Sequence, residues 1–308
     1  MRYGWLLVLV GAAVCYYWLN PLSSHSPDTT LLANKTVLIC DASAGLGAEL
    51  ARQLAPHHVK LMLVTRTGRS ESLTNKQNVY NKEGKNNSPQ SQTQISAYTW
   101  SSLVRVRDEV VSLGSPQVEL LSYDYSNLED AHTIIEKTIE KLGGLDYLVL
   151  NQAEIARGYL VKTRHGQSPE FVERTFSVNV LSPIELALSA LPHLEKSKGH
   201  IFVASSTLSV VPKAGLAVLS ATKHALNGFF YSLQQELREK KSAVTLTVGR
   251  LGELAGGDKM PLFTLPDWMV GDKGECAGGI VETFLTRPPT FSYPKLQPLL
   301  AQLFWYLG

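Results

Sequence analysis

Short apolar runs rich in β-branched and aromatic residues alternate along this chain with segments whose apolar residues recur every third or fourth place. The first pattern predicts buried strands and the second amphipathic helices. Strands are expected at 35–40, 59–65, 118–124, 145–150, 200–204, 244–248 and 290–293. Helices are expected at 48–55, 100–113, up to 142, 168–194, from 218 onward, and 276–285. Seven strands separated by helices predict a doubly wound, mostly parallel seven-stranded sheet of the Rossmann type, with helices on both faces.

Two stretches break the pattern. Residues 67–99 are rich in Ser, Asn, Gln, Lys and Gly, and read as a surface insertion. Residues 4–19 are uncharged and mostly apolar, just short of a comfortable helical span. Tyr16, Tyr17 and Trp18 end that run, as interfacial aromatics do, and no Lys or Arg follows until Lys35. A signal-anchor over 1–20 is therefore expected, then a linker over 21–33 and a folded domain over 34–308, placed in the endoplasmic reticulum lumen. A cleaved signal peptide with secretion is the alternative.

Punctuation between elements carries the candidate chemistry. Asp41-Ala42-Ser43-Ala44-Gly45-Leu46-Gly47 follows the first strand and enters a helix, so Ser43, Gly45, Leu46 and Gly47 are candidate pyrophosphate contacts. The second strand ends at Thr65, about 20 residues on, and Arg66 stands next, where such folds select the adenosine ribose. An arginine there suits a 2′-phosphate, so NADP(H) is expected over NAD(H). Ser126-Asn127-Leu128-Glu129 reads as a capping box. The run from His200 to Phe230 is a strand, two serines, a turn with Pro212, then a helix carrying Lys223. In a doubly wound sheet that order places Ser206 and Lys223 in the crevice beyond the strand ends.

Composition adds mostly exclusions. A net charge of +2 with no basic cluster speaks against a nucleic-acid surface. Cys15, Cys40 and Cys276 are too few and too scattered for a disulfide framework or a metal set. The histidines, His57, His58, His165, His193 and His200 among them, show no ligand spacing.

The chain resembles short-chain dehydrogenases/reductases of the 11β-hydroxysteroid dehydrogenase type. The likeness runs from the apolar anchor through Lys141-Leu142-Gly143-Gly144-Leu145-Asp146 and Ala190-Leu191-Pro192. It continues through Lys223-His224-Ala225-Leu226-Asn227-Gly228-Phe229-Phe230 and Glu275-Cys276-Ala277. It implies an NADP(H)-dependent oxidoreductase acting on steroid or other lipid carbonyl or hydroxyl groups, and a homodimer. Residue by residue it implies that Asn179 holds a water beside the lysine and Ser206 bonds the substrate oxygen. Lys223 would hold the nicotinamide ribose, with Asn151 and Asp124 on the cofactor. The family's proton-transferring tyrosine falls on Leu219, and a positioned acid/base group is worth about 10²- to 10⁴-fold, roughly 3 to 5.5 kcal/mol. Asp41 replaces the first turn glycine, Glu154 a glycine after Asn151, and Gly256 a threonine at the nicotinamide amide. A non-catalytic relative binding nucleotide or lipid, and a membrane-tethered interaction protein built on the insertion and the apolar run 295–307, stand as alternatives.

Of the N-x-S/T sequons at Asn34 and Asn86, the second lies in the polar insertion and reports topology. Lumenal placement predicts a glycosidase-sensitive mass on the expressed chain that Asn86→Gln removes; no such mass on the wild type contradicts it.

Overall fold

The structure, a computed structural model, describes residues 28–66, 89–156, 169–255 and 270–294, with the backbone alone for 89–98. The expected anchor, most of the polar insertion, Asn86, His165, Ser168, Gly256 and the run 295–307 lie outside the described residues. Among the described residues no helix is long and apolar enough to cross a membrane.

The strands are β1 Thr36–Cys40, β2 Lys60–Arg66, β3 Gln117–Tyr123, β4 Tyr147–Leu150, β5 His200–Ser206, β6 Thr245–Leu251 and β7 Thr290–Tyr293. They form one sheet in the order β3-β2-β1-β4-β5-β6-β7, every neighbouring pair parallel. The helices are α1 Gly45–Leu54, α2 Pro89–Ser112, α3 Ala131–Leu142, α4 Pro169–Phe176, α5 Ser182–Ser197, α6 Ala217–Glu239 and α7 Lys273–Thr286.

Alternation within the strands splits the core into two layers. Leu38, Cys40, Met62, Val64, Ile201 and Val203 face α3, α5 and α6. Val37, Ile39, Leu61, Leu63 and Phe202 face α1, α2 and α7. Because both faces are covered, the central strands read as unbroken apolar runs rather than alternating ones. Cys40 and Cys276 are buried free thiols whose burial pushes their pKa up to about 12.

Several boundaries depart from the sequence reading. The linker ends in a 3-10 turn, Thr29–Leu32, capped by Asp28, and Leu32 is fully buried. Asn34 lies in an exposed turn at φ +62 before β1, not in the strand. Helix α2 begins at Pro89, so the end of the insertion is already helical; proline suits a first turn, where no N–H is needed. The expected capping box does not form, because Asp124 takes both the backbone N–H and the hydroxyl of Ser126 at 3.0 and 2.7 Å. Helix α3 starts at Ala131 behind Asp130, with no side-chain cap.

The long helix expected over 168–194 is two α-helices joined by a π turn, Ser177–Leu181. Pro183 has no N–H to give the carbonyl four residues back, that of Asn179, and Ser182 donates to Ser177 instead. The widened turn sets Asn179 in the middle of the insertion, facing the sheet edge.

His200 opens β5 fully buried, with Nδ1 at 2.8 Å from the Thr245 hydroxyl. Burial, with Arg287 adding to it, holds its pKa down to about 3. A depressed imidazole contributes stability that is complete above its unfolded pKa near 6.5 and is lost as pH falls toward 3. His200→Phe is therefore expected to flatten the acid side of the urea-midpoint profile; an unchanged slope below pH 6.5 contradicts this.

Candidate functional site

The strand order reverses between β1 and β4, and the crevice past their carboxyl ends is where such a sheet takes a ligand. At that point α1 lies close against the turn after β1. A Cβ on Gly47 would meet the Asp41 carbonyl at 2.4 Å and Asn151 Nδ2 at 3.0 Å, so only glycine fits. Asn151 Nδ2 donates to the same carbonyl at 3.3 Å, tying the end of β4 to the turn. Gly45 sits at φ +58, and nothing lies within 4 Å of where its side chain would be. Ala44 caps α1 without a side-chain hydrogen bond, which leaves the first amides of the helix facing outward. Beside this turn a cleft of about 290 Å³ is lined by Ser43, Ala44 and Gly45 together with Glu49, Arg52, Arg105 and Lys273, Arg52 being paired with Glu49 and Glu109. The open glycine, the N-terminus of α1 without a side-chain cap and a lining whose three cations outnumber Glu49 fit the pyrophosphate of a dinucleotide. Ser43 lies in this turn, and Gly45, Leu46 and Gly47 form the first turn of α1.

Arg66 is the last residue of β2, one beyond the expected strand, and its guanidinium is engaged by the protein. Nη2 lies 3.2 Å from Asp41 Oδ2, and Nη1 donates to the Ala153 carbonyl at 3.0 Å. Asp124, expected at the adenine, turns its carboxylate onto Ser126 and stands 3.6 Å from Arg174 Nη2. Arg174, on α4, also bonds the Ser126 hydroxyl at 2.8 Å and approaches Glu154 Oε2 to 3.3 Å through Nε. That last contact is an ion pair of close distance and poor direction, since neither atom has a well-aligned hydrogen bond. Burial raises the Glu154 pKa, against the pull of Arg174 and Arg66. Arg174 gave no signal in the sequence, where a charged helix residue reads as a solvated face.

The reaction side of the crevice is built by β5, the π turn and α6. Asn179 Oδ1 accepts the Glu154 N–H at 2.6 Å. Its Nδ2 donates to the Glu154 carbonyl at 2.9 Å and to Thr222 Oγ1 at 3.3 Å. The side chain thus clamps the loop after β4, where the sequence predicts a held water. Ser206 ends β5 half-buried, its Oγ accepting the Leu208 N–H at 3.2 Å. Lys223 is 6% exposed and donates to the Ala204 carbonyl at 3.1 Å. Burial lowers its pKa to about 8. A chain Ser205–Asn227–Ser209, with bonds of 2.5 and 2.8 Å, stiffens the same edge. Asn227 lies one helical turn beyond Lys223, and the sequence reading gave it no role.

Leu219 is 3% exposed and belongs to a small apolar cluster with Ala156, Phe171, Leu208, Leu216 and Val218. Where a phenol would present its hydroxyl, these side chains present hydrocarbon. Among the described residues this arrangement can hold a dinucleotide and orient an oxygen at Ser206, and it has no group at 219 that moves a proton.

Fold and crevice together define an α/β protein of the Rossmann type, of the short-chain dehydrogenase class. Residues 88–253 match the family model for short chain dehydrogenases, and the chain belongs to that family. It is 27% identical over 308 residues to hydroxysteroid 11-beta-dehydrogenase 1-like protein B of Xenopus laevis, covering 99% of this chain and 94% of that protein. The human hydroxysteroid 11-beta-dehydrogenase 1-like protein is 32% identical over 248 residues, 80% of this chain and 66% of its own length. Among solved structures, a dehydrogenase/reductase from Sinorhizobium meliloti 1021 superposes with a TM-score of 0.66 at 21% identity, covering 86% of this chain and 95% of that one. A short chain dehydrogenase from Burkholderia cenocepacia J2315, solved with NADP, gives 0.65 at 20%, covering 85% and 96%. At such identities the superpositions establish the fold.

Holding Lys223 charged inside the protein costs stability. Its folded pKa, about 8, lies below the ordinary 10.5, so the unfolded chain binds the proton more tightly and stability rises as pH climbs between those values. The difference amounts to roughly 3 kcal/mol at neutral pH. Lys223→Met is expected to raise the denaturant midpoint at pH 7 and to lose that advantage by pH 10.5. A variant less stable at pH 7 contradicts the burial argument.

Proposed function

We infer that this chain is a short-chain dehydrogenase-fold protein that binds a nicotinamide dinucleotide and a steroid-like lipid without carrying out carbonyl/hydroxyl exchange at the family's rate. The observation that carries this reading is Leu219 sealed into its apolar cluster, at the one position where the family's chemistry needs an ionisable hydroxyl. When bound, a nicotinamide dinucleotide supplies or accepts a hydride. The chain's own residues bind and orient. The turn at Ser43–Gly47 and the amides of α1 receive a pyrophosphate, and Asn151 holds that turn to β4. The Lys223 ammonium, aimed along β5 by the Ala204 carbonyl, offers donors to a ribose. The Ser206 hydroxyl can donate to a carbonyl oxygen. Among the described residues nothing then delivers a proton to that oxygen from the face where Leu219 lies, and a developing alkoxide beside hydrocarbon is unsolvated.

Turnover on a steroid or other lipid carbonyl is the second reading, and Lys223 favours it. A buried lysine with a pKa of about 8 is charged or neutral within reach of physiological pH, and can itself exchange a proton. The relatives' steroid-dehydrogenase names support a steroid-like ligand under either reading. Around this core, the run 4–19 fits a membrane anchor, and Leu181 and Leu188 fit a homodimer face. Those two leucines are 42% and 43% exposed and two helical turns apart.

The discriminating experiment adds reduced dinucleotide and a panel of ketosteroids to the purified full chain and to Leu219→Tyr. The wild type is expected to stay at background and the variant to gain about 10²-fold or more in turnover. Wild-type turnover that the tyrosine does not increase would instead assign the proton to Lys223.

A further inference from the structure

Asp41 lies at φ +56, in the left-handed region that favours glycine and strains a side chain. The surroundings hold it there: its N–H donates to the Tyr125 hydroxyl at 3.0 Å, and its carbonyl accepts from Asn151. Tyr125 is fully buried, so that anchor is rigid. What the strained position delivers is a carboxylate against Arg66, 3.2 Å from Nη2, while Nη1 is bonded to the Ala153 carbonyl. The guanidinium therefore reaches from the end of β2 across β1 to the loop after β4, over the point where the sheet reverses. The two side chains are only 27% and 19% exposed, so water screens the pair less than it would at the open surface.

An arginine at the end of the second strand accommodates a 2′-phosphate, and an acidic residue there bonds a free ribose 2′-hydroxyl. Here both are present, and the acid comes from the glycine turn. A phosphate monoester carries about −1.5 to −2 charges at neutral pH. Placed on Arg66 it lies beside the Asp41 carboxylate as well, with Glu154 and Asp124 behind and Arg174 the nearer compensating cation. A 2′-hydroxyl brings no charge and can donate to the carboxylate. Among the described residues Arg52, Arg105 and Lys273 line the cleft at Ser43–Gly45 together with Glu49, and neither Asp41 nor Arg66 lines it.

We propose that Asp41 is the specificity-determining residue of the crevice, selecting a dinucleotide with a free adenosine 2′-hydroxyl, NAD(H), over its 2′-phosphorylated counterpart, NADP(H). This reverses the preference expected from Arg66 alone, and it rests on the reading that the crevice binds a dinucleotide. Binding of NADH and of NADPH to the full chain, followed by nucleotide fluorescence, tests it without any need for turnover. The wild type binds NADH at least tenfold more tightly. Asp41→Gly, which also removes the backbone strain and so keeps the fold, moves the ratio at least tenfold toward NADPH. Asp41→Asn, retaining the side chain's shape without its charge, moves it the same way. NADPH binding as tight as NADH to the wild type, or a ratio unchanged in both variants, overturns the selectivity while leaving dinucleotide binding intact. Failure of both nucleotides to bind all three proteins at millimolar concentration overturns the dinucleotide reading and this inference with it.

Discussion

Polar groups at the carboxyl edge of a buried parallel sheet lose water on every side except the crevice, and each must find a partner or remain costly. That requirement organises the functional end of this protein. Asn179 spends its amide on both backbone groups of Glu154 and on Thr222. Lys223 is satisfied by a carbonyl of β5, and Ser205, Asn227 and Ser209 satisfy one another. Arg66 closes onto Asp41 and Ala153. Groups that an oxidoreductase would turn toward its reactants are here bonded to the protein itself.

Leu219 is the apolar counterpart of the same rule. A hydroxyl at that position would need a partner inside the cluster of Phe171, Leu208 and Leu216, whereas leucine needs none and adds about 1.5 to 3 kcal/mol by burial. Packing and chemistry thus pull in opposite directions at one residue. The retained lysine sharpens the point, because one helical turn away an ammonium with no carboxylate partner among the described residues is kept buried at a cost to stability. Such a cost is intelligible where the ammonium still meets a ligand.

Much of this architecture was legible in the chain. Central strands announce themselves as apolar runs because both faces are covered, Ser206 and the glycine turn fall at element ends that the pattern locates, and Lys223 falls in the second turn of α6. What escaped detection were competitions between partners. The Ser126 box looks complete until Asp124, two residues earlier, is seen to outbid the helix for its hydroxyl and N–H. The π turn is hidden in a continuous helical pattern, although Pro183 marks the missing donor. The Asp41–Arg66 pair is separated by 25 residues, yet parallel register aligns Cys40 with Val64 and so brings the two side chains to one edge. Arg174 had no such register to reveal it, being placed by the packing of α4 against the loops.

The crevice has the shape to seat a dinucleotide and a ketone but has no proton source at residue 219. Deuterium placed on the transferring carbon of reduced dinucleotide, followed by mass spectrometry of a ketosteroid incubated with stoichiometric wild-type protein, measures this at the level of a single turnover. The expected outcome is a steroid recovered unlabelled and unreduced. A deuterated carbinol formed by the unaltered protein would contradict it.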